Sequence, residues 1–436
     1  MRKSIQAALI FCLVAGLYIL SYAGEAGKEN EGAFFVKEGD AFSLNISTLL
    51  QIRADYTDDE VNFSGPLYEG EQDLDFDART DFLVRRARLR FFGKAGTEWL
   101  TYMLDVDMVG ELETRFSQDG YGFTGYDTKL SPDLQDAWLR MRLGENHSLT
   151  IGQQKDPFDY FFSEYSRDQM FLERPFFTTE WFSPGRQVGV RYAGHNKSNR
   201  VGWDMMLSNG GGMNHQRNDN DELAYSARIY YQTPGFIGSG MTAMPGKYEG
   251  LRYGFGVAIH QNSIGSDLTC DDRGNTLVCG YDTNDISAYE VFGGISGTKM
   301  RFNASWQSWT LDDAGYDRQG HLDDLDLDAY TAEIGFFAGN RSELALRYES
   351  GNSDPLDFDF GGDLQSEIET DVFTVGYNFY FSGNHNFKLQ ANVGQFKMTF
   401  KDRFFDMYPV EDLDGSISGE METKSNFIRL GIQHAF

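Results

Sequence analysis

Phe42-Ser43-Leu44-Asn45-Ile46-Ser47-Thr48-Leu49-Leu50-Gln51-Ile52-Arg53-Ala54-Asp55-Tyr56 is the stretch on which the fold turns. In an extended chain Phe42, Leu44, Ile46, Thr48, Leu50, Ile52, Ala54 and Tyr56 share one face, and Ser43, Asn45, Ser47, Leu49, Gln51, Arg53 and Asp55 share the other. A period of two is the signature of a strand with one apolar and one polar face. The same beat returns in Leu83, Arg85, Ala87, Leu89 and Phe91 against Val84, Arg86, Arg88 and Arg90, and again near the end in Asn426, Ile428, Leu430, Ile432, His434 and Phe436. Runs of this length exceed the usual strand of a soluble sandwich and suit a tilted strand that crosses a bilayer.

Working outward from that stretch, the pattern gives sixteen strands. They lie near 42–56, 82–93, 99–109, 133–143, 148–153, 186–193, 200–208 and 223–233, then 252–262, 285–296, 299–311, 328–337, 343–350, 370–382, 387–399 and 425–436. Short connections alternate with long ones near 57–81, 110–132, 154–185, 209–222, 263–284, 312–327, 351–369 and 400–424. Short turns on one side and long loops on the other, with an even strand number, is the outer-membrane barrel pattern. One connection breaks it: 233–251 is long where a short turn is expected, so an extra hairpin or a miscounted strand could hide there.

Composition excludes other classes. After the N-terminal segment, no apolar run is long enough for a membrane-spanning helix. The chain carries 38 Lys+Arg against 66 Asp+Glu, a net charge of −28, which argues against nucleic-acid binding. With 15% aromatic residues it is too rich in core-forming side chains to be disordered. The expected class is all-β, an antiparallel transmembrane β-barrel over 42–436.

Residues 1–23 read as an export signal. Arg2 and Lys3 open it, Ala7 to Leu20 form the apolar centre, and Ser21-Tyr22-Ala23 offers a small-x-small cleavage site. Residues 24–41 then form an N-terminal periplasmic segment, and the location is a bacterial outer membrane. Beyond the signal the cysteines are Cys270 and Cys279, closing a short polar loop. In an oxidising compartment the pair reads as a disulfide, with a metal pair as the alternative. No metal site or cofactor is expected.

Several stretches add a resemblance. Arg85-Arg86-Ala87-Arg88-Leu89, Gly152-Gln153-Gln154-Lys155-Asp156-Pro157-Phe158, Glu173-Arg174-Pro175, Pro184-Gly185-Arg186-Gln187-Val188-Gly189-Val190 and the closing Phe436 resemble the phosphate-selective porins of the O and P type. The resemblance runs from about residue 42 to the C-terminus. It implies a trimeric, anion-conducting channel whose third long loop folds inward to make the constriction.

Taking the polar phase of each strand as inward, the lumen holds Arg53, Arg86, Arg88, Arg90, Arg140, Arg142, Arg191, Arg228, Arg301, Arg347, Lys388 and Arg429. The acids there are Asp55, Asp105, Asp107, Asp136, Asp204, Glu290, Glu333 and Glu349, so the lumen is enriched in positive charge relative to the whole chain. The excess acid lies in the long loops, as solvated surface or as divalent-cation bridges, with 323–328 the densest run. Arg86, Arg88 and Arg90 stack guanidinium groups along one wall at intervals of roughly 6.5–7 Å. Guanidinium stays charged and offers forked donors matched to phosphate or carboxylate oxygens. The competing reading is a neutral wall in which they pair with Asp105, Asp107 and Asp136. Arg85 falls on the outward phase, where it would snorkel to the lipid or enter a subunit interface.

Loop 154–185 is dense in aromatics, among them Phe158, Tyr160, Phe161, Tyr165, Phe171 and Phe177, which need a packing partner. Arg167 and Arg174 from this loop join Arg86, Arg88, Arg90, Arg140 and Arg142 as the expected anion path. No nucleophile–histidine spacing supports an enzyme. The expected function is passive diffusion of small anions such as phosphate, in contact with lipid and lipopolysaccharide. The alternatives are a less selective or carboxylate channel, and an adhesion or structural barrel whose acidic loops bind a partner.

Overall fold

The computed structural model describes the chain from residue 34 to 435, apart from 39–41, 65–71, 77, 110–112, 117–122, 128–131, 180–182, 216–217, 219–221, 239, 243, 245–249, 266–268, 273–276, 281–282, 317–321, 358–364 and 402–419. The signal segment and Phe436 lie outside the described residues.

The period of two becomes a closed antiparallel barrel of sixteen strands. The first half comprises β1 (Ser43–Ser64), β2 (Arg79–Lys94), β3 (Leu100–Asp107), β4 (Asp133–Arg142), β5 (His147–Lys155), β6 (Arg186–His195), β7 (Val201–Ser208) and β8 (Ala224–Gln232). The second half comprises β9 (Arg252–Gly265), β10 (Thr283–Ser296), β11 (Met300–Tyr316), β12 (Leu322–Ala338), β13 (Ser342–Asp357), β14 (Gln365–Tyr380), β15 (Phe387–Lys401) and β16 (Glu420–Ala435). Each strand pairs with its sequence neighbour, and β16 closes the ring on β1 with Leu49 opposite Ala435. Closure leaves no edge, so the backbone amides along the strands find partners within the sheet, as a hydrocarbon environment demands.

Side chains alternate as the sequence predicts. Phe82, Ile229, Phe255, Val257, Tyr289, Tyr330, Phe373 and Val393 are exposed on the outer face. Their inward neighbours, such as Arg228, Glu290, Thr331 and Asn392, are buried. Several strands outrun the alternating apolar segment. β1 has 22 residues and continues to Ser64, where a loop from 57 is expected. At about 3.3 Å per residue that exceeds a hydrocarbon core of ~30 Å, so its far end, which opens with Thr57-Asp58-Asp59-Glu60, stands above the bilayer.

Among the described residues, register irregularities interrupt four of the barrel's strand pairings, and the single-residue bulges in β2 and β4 bear on the site. In β2 the register steps from Gln51↔Arg86 to Ile52↔Val84, leaving Arg85 as the extra residue. In β4 it steps from Asp105↔Asp136 to Val106↔Leu134, leaving Gln135. A bulge turns two consecutive side chains to one face. Arg85 therefore joins Arg86 inside the lumen, which overturns the outward placement expected from unbroken alternation.

Connection 233–251 holds neither an extra hairpin nor a missed strand among its described residues. β8 pairs directly with β9, Gln232 opposite Gly254. The connection itself turns into the periplasmic end of the barrel, burying Phe236 and Met241 completely.

Candidate functional site

The loop between β5 and β6 fills much of the lumen. Lys155 ends β5, and the chain crosses the interior before returning at Arg186. It first leans on the β10–β11 wall. Tyr160 donates its backbone amide to Glu290 (2.8 Å) and its hydroxyl to Asn303 (2.9 Å), and its ring stacks on Phe292. Phe158 meets Trp309 edge-on. Asp159, in the left-handed region at φ 67°, accepts from the Phe162 amide, Ser183 and Thr178 and so ties both ends of the loop together.

The far side of the loop is held by the β13–β16 wall and by β1 and β2. Asn378 and Gln390 donate to the Met170 carbonyl, Lys388 to the Gln169 carbonyl (2.7 Å), and Gln433 to the Arg167 carbonyl (2.9 Å). Leu172 takes its amide partner from Asn392. The wall is cut back where the loop presses on it. A Cβ added to Gly431 would lie 2.2 Å from Leu172, and one added to Gly351 would lie 2.5 Å from Phe177. Inward glycines are sockets for loop side chains.

Glu173 is the strongest anchor. Its carboxylate accepts from Arg53, from Arg85 through Nε (2.5 Å) and Nη2 (3.0 Å), and from Arg86 (3.2 Å). Arg347 donates to its backbone carbonyl at 2.9 Å. Burial opposes the charged form, but Arg85, Arg86 and Arg53 outweigh it and hold this carboxyl well below the usual range. The sequence shows Glu173 beside Arg174 but nothing that marks it as the meeting point of four arginines.

The predicted anion-path residues fall into distinct environments. Arg86 is buried and occupied by Glu173 and Gln51. Arg88 pairs with Asp107 (2.8 Å) and also reaches Ser166 of the loop and Gln135 of the bulge. Arg90 pairs with Asp105 (2.6 Å) but keeps 28% of its side chain accessible and stands over the Tyr165 ring. Arg174 is buried against the Phe162 ring, donating to the Glu164 carbonyl and Ser166. Burial, with Arg186 and Arg88 close by, lowers its guanidinium to about 9. Arg167 is half-buried and bonded to Asp168 (2.9 Å).

Tyr165 stands out among the mostly buried loop aromatics, with 44% of its surface open. With Ser166 and Arg167 it faces Arg88, Arg90 and Asp105 across a cavity of about 80 Å³, floored by Ser47, Thr48 and Leu49. Here the inward loop stands directly against the β1–β3 wall. The sequence groups Tyr165 with the packing aromatics; its polar neighbours Glu164 and Ser166 are the available hint that it differs.

Arg140 and Arg142 lie nearer the periplasm on β4, and both are exposed. Arg140 donates to Thr150 (3.0 Å) and stacks on the Trp138 ring at 4.4 Å. Among the described residues neither has a carboxylate partner. They line a cavity of about 360 Å³ together with Thr101, Ser148, His195 and Tyr230 and with the acids Glu98 and Glu145. The backbones of Cys270 and Cys279 stand opposite each other in a small hairpin above the barrel; their side chains lie outside the described residues.

A closed outer-membrane barrel narrowed by its own inward loop is a porin. The sequence matches the family described as phosphate-selective porin O and P over residues 62–402, and the chain belongs to that family. Its place is the bacterial outer membrane. No curated protein matches it closely in sequence. Among solved structures, the fold is similar to the outer membrane channel DcaP of Acinetobacter baumannii, with a TM-score of 0.56 and 12% identity, covering 92% of this chain and 99% of that one. It is also similar to an anion-selective porin from Comamonas acidovorans (TM-score 0.50, 13% identity, 90% and 99% covered). The trimer form of OmpT of Vibrio cholerae matches with a TM-score of 0.53 at 11% identity, over 91% and 100%. At these identities the likeness is one of fold alone.

Proposed function

We propose that this porin passes small oxyanions of the phosphate class by diffusion along one side of its lumen. In this reading an anion meets Arg88, Arg90 and Arg167 beside Tyr165, where the loop stands against the wall, then Arg140 and Arg142 on the way to the periplasm. The observation that carries the reading is the exposure of Arg140 and Arg142 on the lumen face without a carboxylate partner among the described residues. Arg86 and Arg174 serve instead to hold the loop. Half-compensated guanidinium groups suit conduction, which needs sites strong enough to enter and weak enough to leave.

Trimer assembly and contact with lipopolysaccharide fit the same reading. The exposed apolar band supports the lipid contact, and a trimeric structural neighbour supports the assembly. The test is single-channel recording in a planar bilayer under a potassium chloride gradient, then with added phosphate. A chloride-favouring reversal potential with phosphate block is the expected result. Cation preference without block would make it a barrel dominated by its acidic loops.

A further inference from the structure

The periplasmic connection between β8 and β9 is as long as an extracellular loop, and it points the wrong way for a turn bathed in water. Phe236 and Met241 are fully buried, and they belong to one apolar cluster with Phe158, Tyr160 and Phe161 of the inward loop. Met244 joins Phe337 and Tyr380 across the barrel in a second cluster. The segment is fastened at both ends of that crossing. Near β8, Gln232 accepts from the Ile237 amide (2.7 Å), and Arg252 donates to the Pro234 carbonyl (2.5 Å). On the far side His385, in the turn between β14 and β15, bonds the Thr242 carbonyl at 2.8 Å. The wall makes room for it, since a Cβ at Gly254 would lie 2.8 Å from Phe236 and 2.9 Å from Ile237.

We propose that the described residues between Thr233 and Met244 form a second plug, which meets the extracellular loop inside the barrel and seals the β8–β14 side of the lumen to ions. The two inserts then share a core, as two layers of a soluble domain would, and water is excluded from that half. The open surface is confined to the opposite side, where Tyr165, Arg140 and Arg142 are exposed. Selectivity therefore depends on this periplasmic segment although it contributes no charge to the path. It removes a route along which ions would bypass the arginines.

The inference rests on the channel reading but not on the sign of the ion it prefers. Replacing residues 234–252 by Asn-Gly joins Thr233 to Tyr253 through a two-residue hairpin turn, which suits antiparallel neighbours. Single-channel conductance of that variant should rise about twofold or more, with a weaker ion preference, because a parallel route opens. Unchanged conductance would overturn the plug. A change in conductance in a channel that proves cation-preferring would sink the anion reading and leave the plug standing. Met241→Cys keeps the fold in place should the deletion not assemble. A charged methanethiosulfonate added from the periplasmic side should leave its current unaltered while blocking Arg142→Cys; equal reactivity at both positions would mean that the segment is open to water.

Discussion

Glu173 and Arg85 form a two-point ion pair inside the barrel, Nε to Oε1 at 2.5 Å and Nη2 to Oε2 at 3.0 Å, and only the bulge in β2 makes it possible. Without the extra residue Arg85 would face lipid, and the loop would lose one of the arginines that hold its carboxylate. The pair belongs to the wall as much as to the loop. It fixes where the loop sits and, through Ser166 and Arg88, how close the loop stands to the arginines beside the cavity.

Glu173→Gln should loosen the loop. Removing one partner of a largely buried charge cluster leaves the others uncompensated, at a cost of about 3 kcal/mol. The urea midpoint of the folded protein should fall, and single-channel traces should become noisier as the loop moves. A variant with native stability and a quiet current would show that the backbone bonds of the loop suffice.

The arginines should not be equivalent. Replacing Arg140 and Arg142 together by Ala is expected to reduce anion preference more than Arg86→Ala, because Arg86 is buried and its donors are taken by Glu173 and Gln51. Reversal potentials under a salt gradient decide this. A larger effect from Arg86→Ala would move the path to the upper wall.

Tyr165→Ala removes the open ring that lies against Arg90 beside the cavity. Conductance should rise while anion preference falls modestly, because ions pass farther from the guanidinium groups. Liposome swelling with solutes of increasing size would register the same change as a higher cut-off.

Stability should fall as pH rises from about 4.5 to about 8. Burial, reinforced by Glu333, lifts the carboxyl of Glu164 from 4.5 to about 8 against the pull of Arg301 and Arg174. A carboxyl held protonated in the folded loop stabilises it fully below its ordinary value, and that contribution is lost as pH passes through the raised one. Asp159, lifted by burial to about 6, acts in the same direction. Glu164→Gln should flatten the dependence of the urea midpoint on pH, by at most about 1.4 kcal/mol per unit for one proton. An unchanged profile would assign the dependence elsewhere.

Cys270 and Cys279 occupy facing positions in their hairpin. The exported protein is expected to show no free thiol until reductant is added, as mass analysis after alkylation would reveal. Labelling of both thiols without reductant would refute the bridge.

Periodicity was enough for the barrel because an outward face that meets lipid must be apolar at every second position. It failed at Arg85, since a bulge is one residue long and leaves no mark in an alternating run such as Val84-Arg85-Arg86-Ala87. It failed also above the bilayer, where both faces of β1 meet water beyond Tyr56 and the alternation fades although the strand continues. The inward course of the loop was legible in its aromatic density, but its anchors were not. Glu173 pairs with residues 87, 88 and 120 positions away, and no local pattern encodes such partners. The inward glycines Gly351 and Gly431 were a usable clue, since a lumen lined only with water has no need of sockets.

The seam where β16 meets β1 is bridged from within. Gln433 of β16 bonds the Arg167 carbonyl, Leu172 fills the place of a side chain at Gly431, and Arg53 of β1 grips Glu173 a residue later. Any barrel joins its first and last strands along one line, and that line is the natural place for it to unzip sideways into the lipid. Here the line cannot part unless the loop is torn from one bank or the other. The element that narrows the channel also rivets it shut, so the lifetime of the folded barrel, and not only its conductance, is set by the same thirty or so residues of loop.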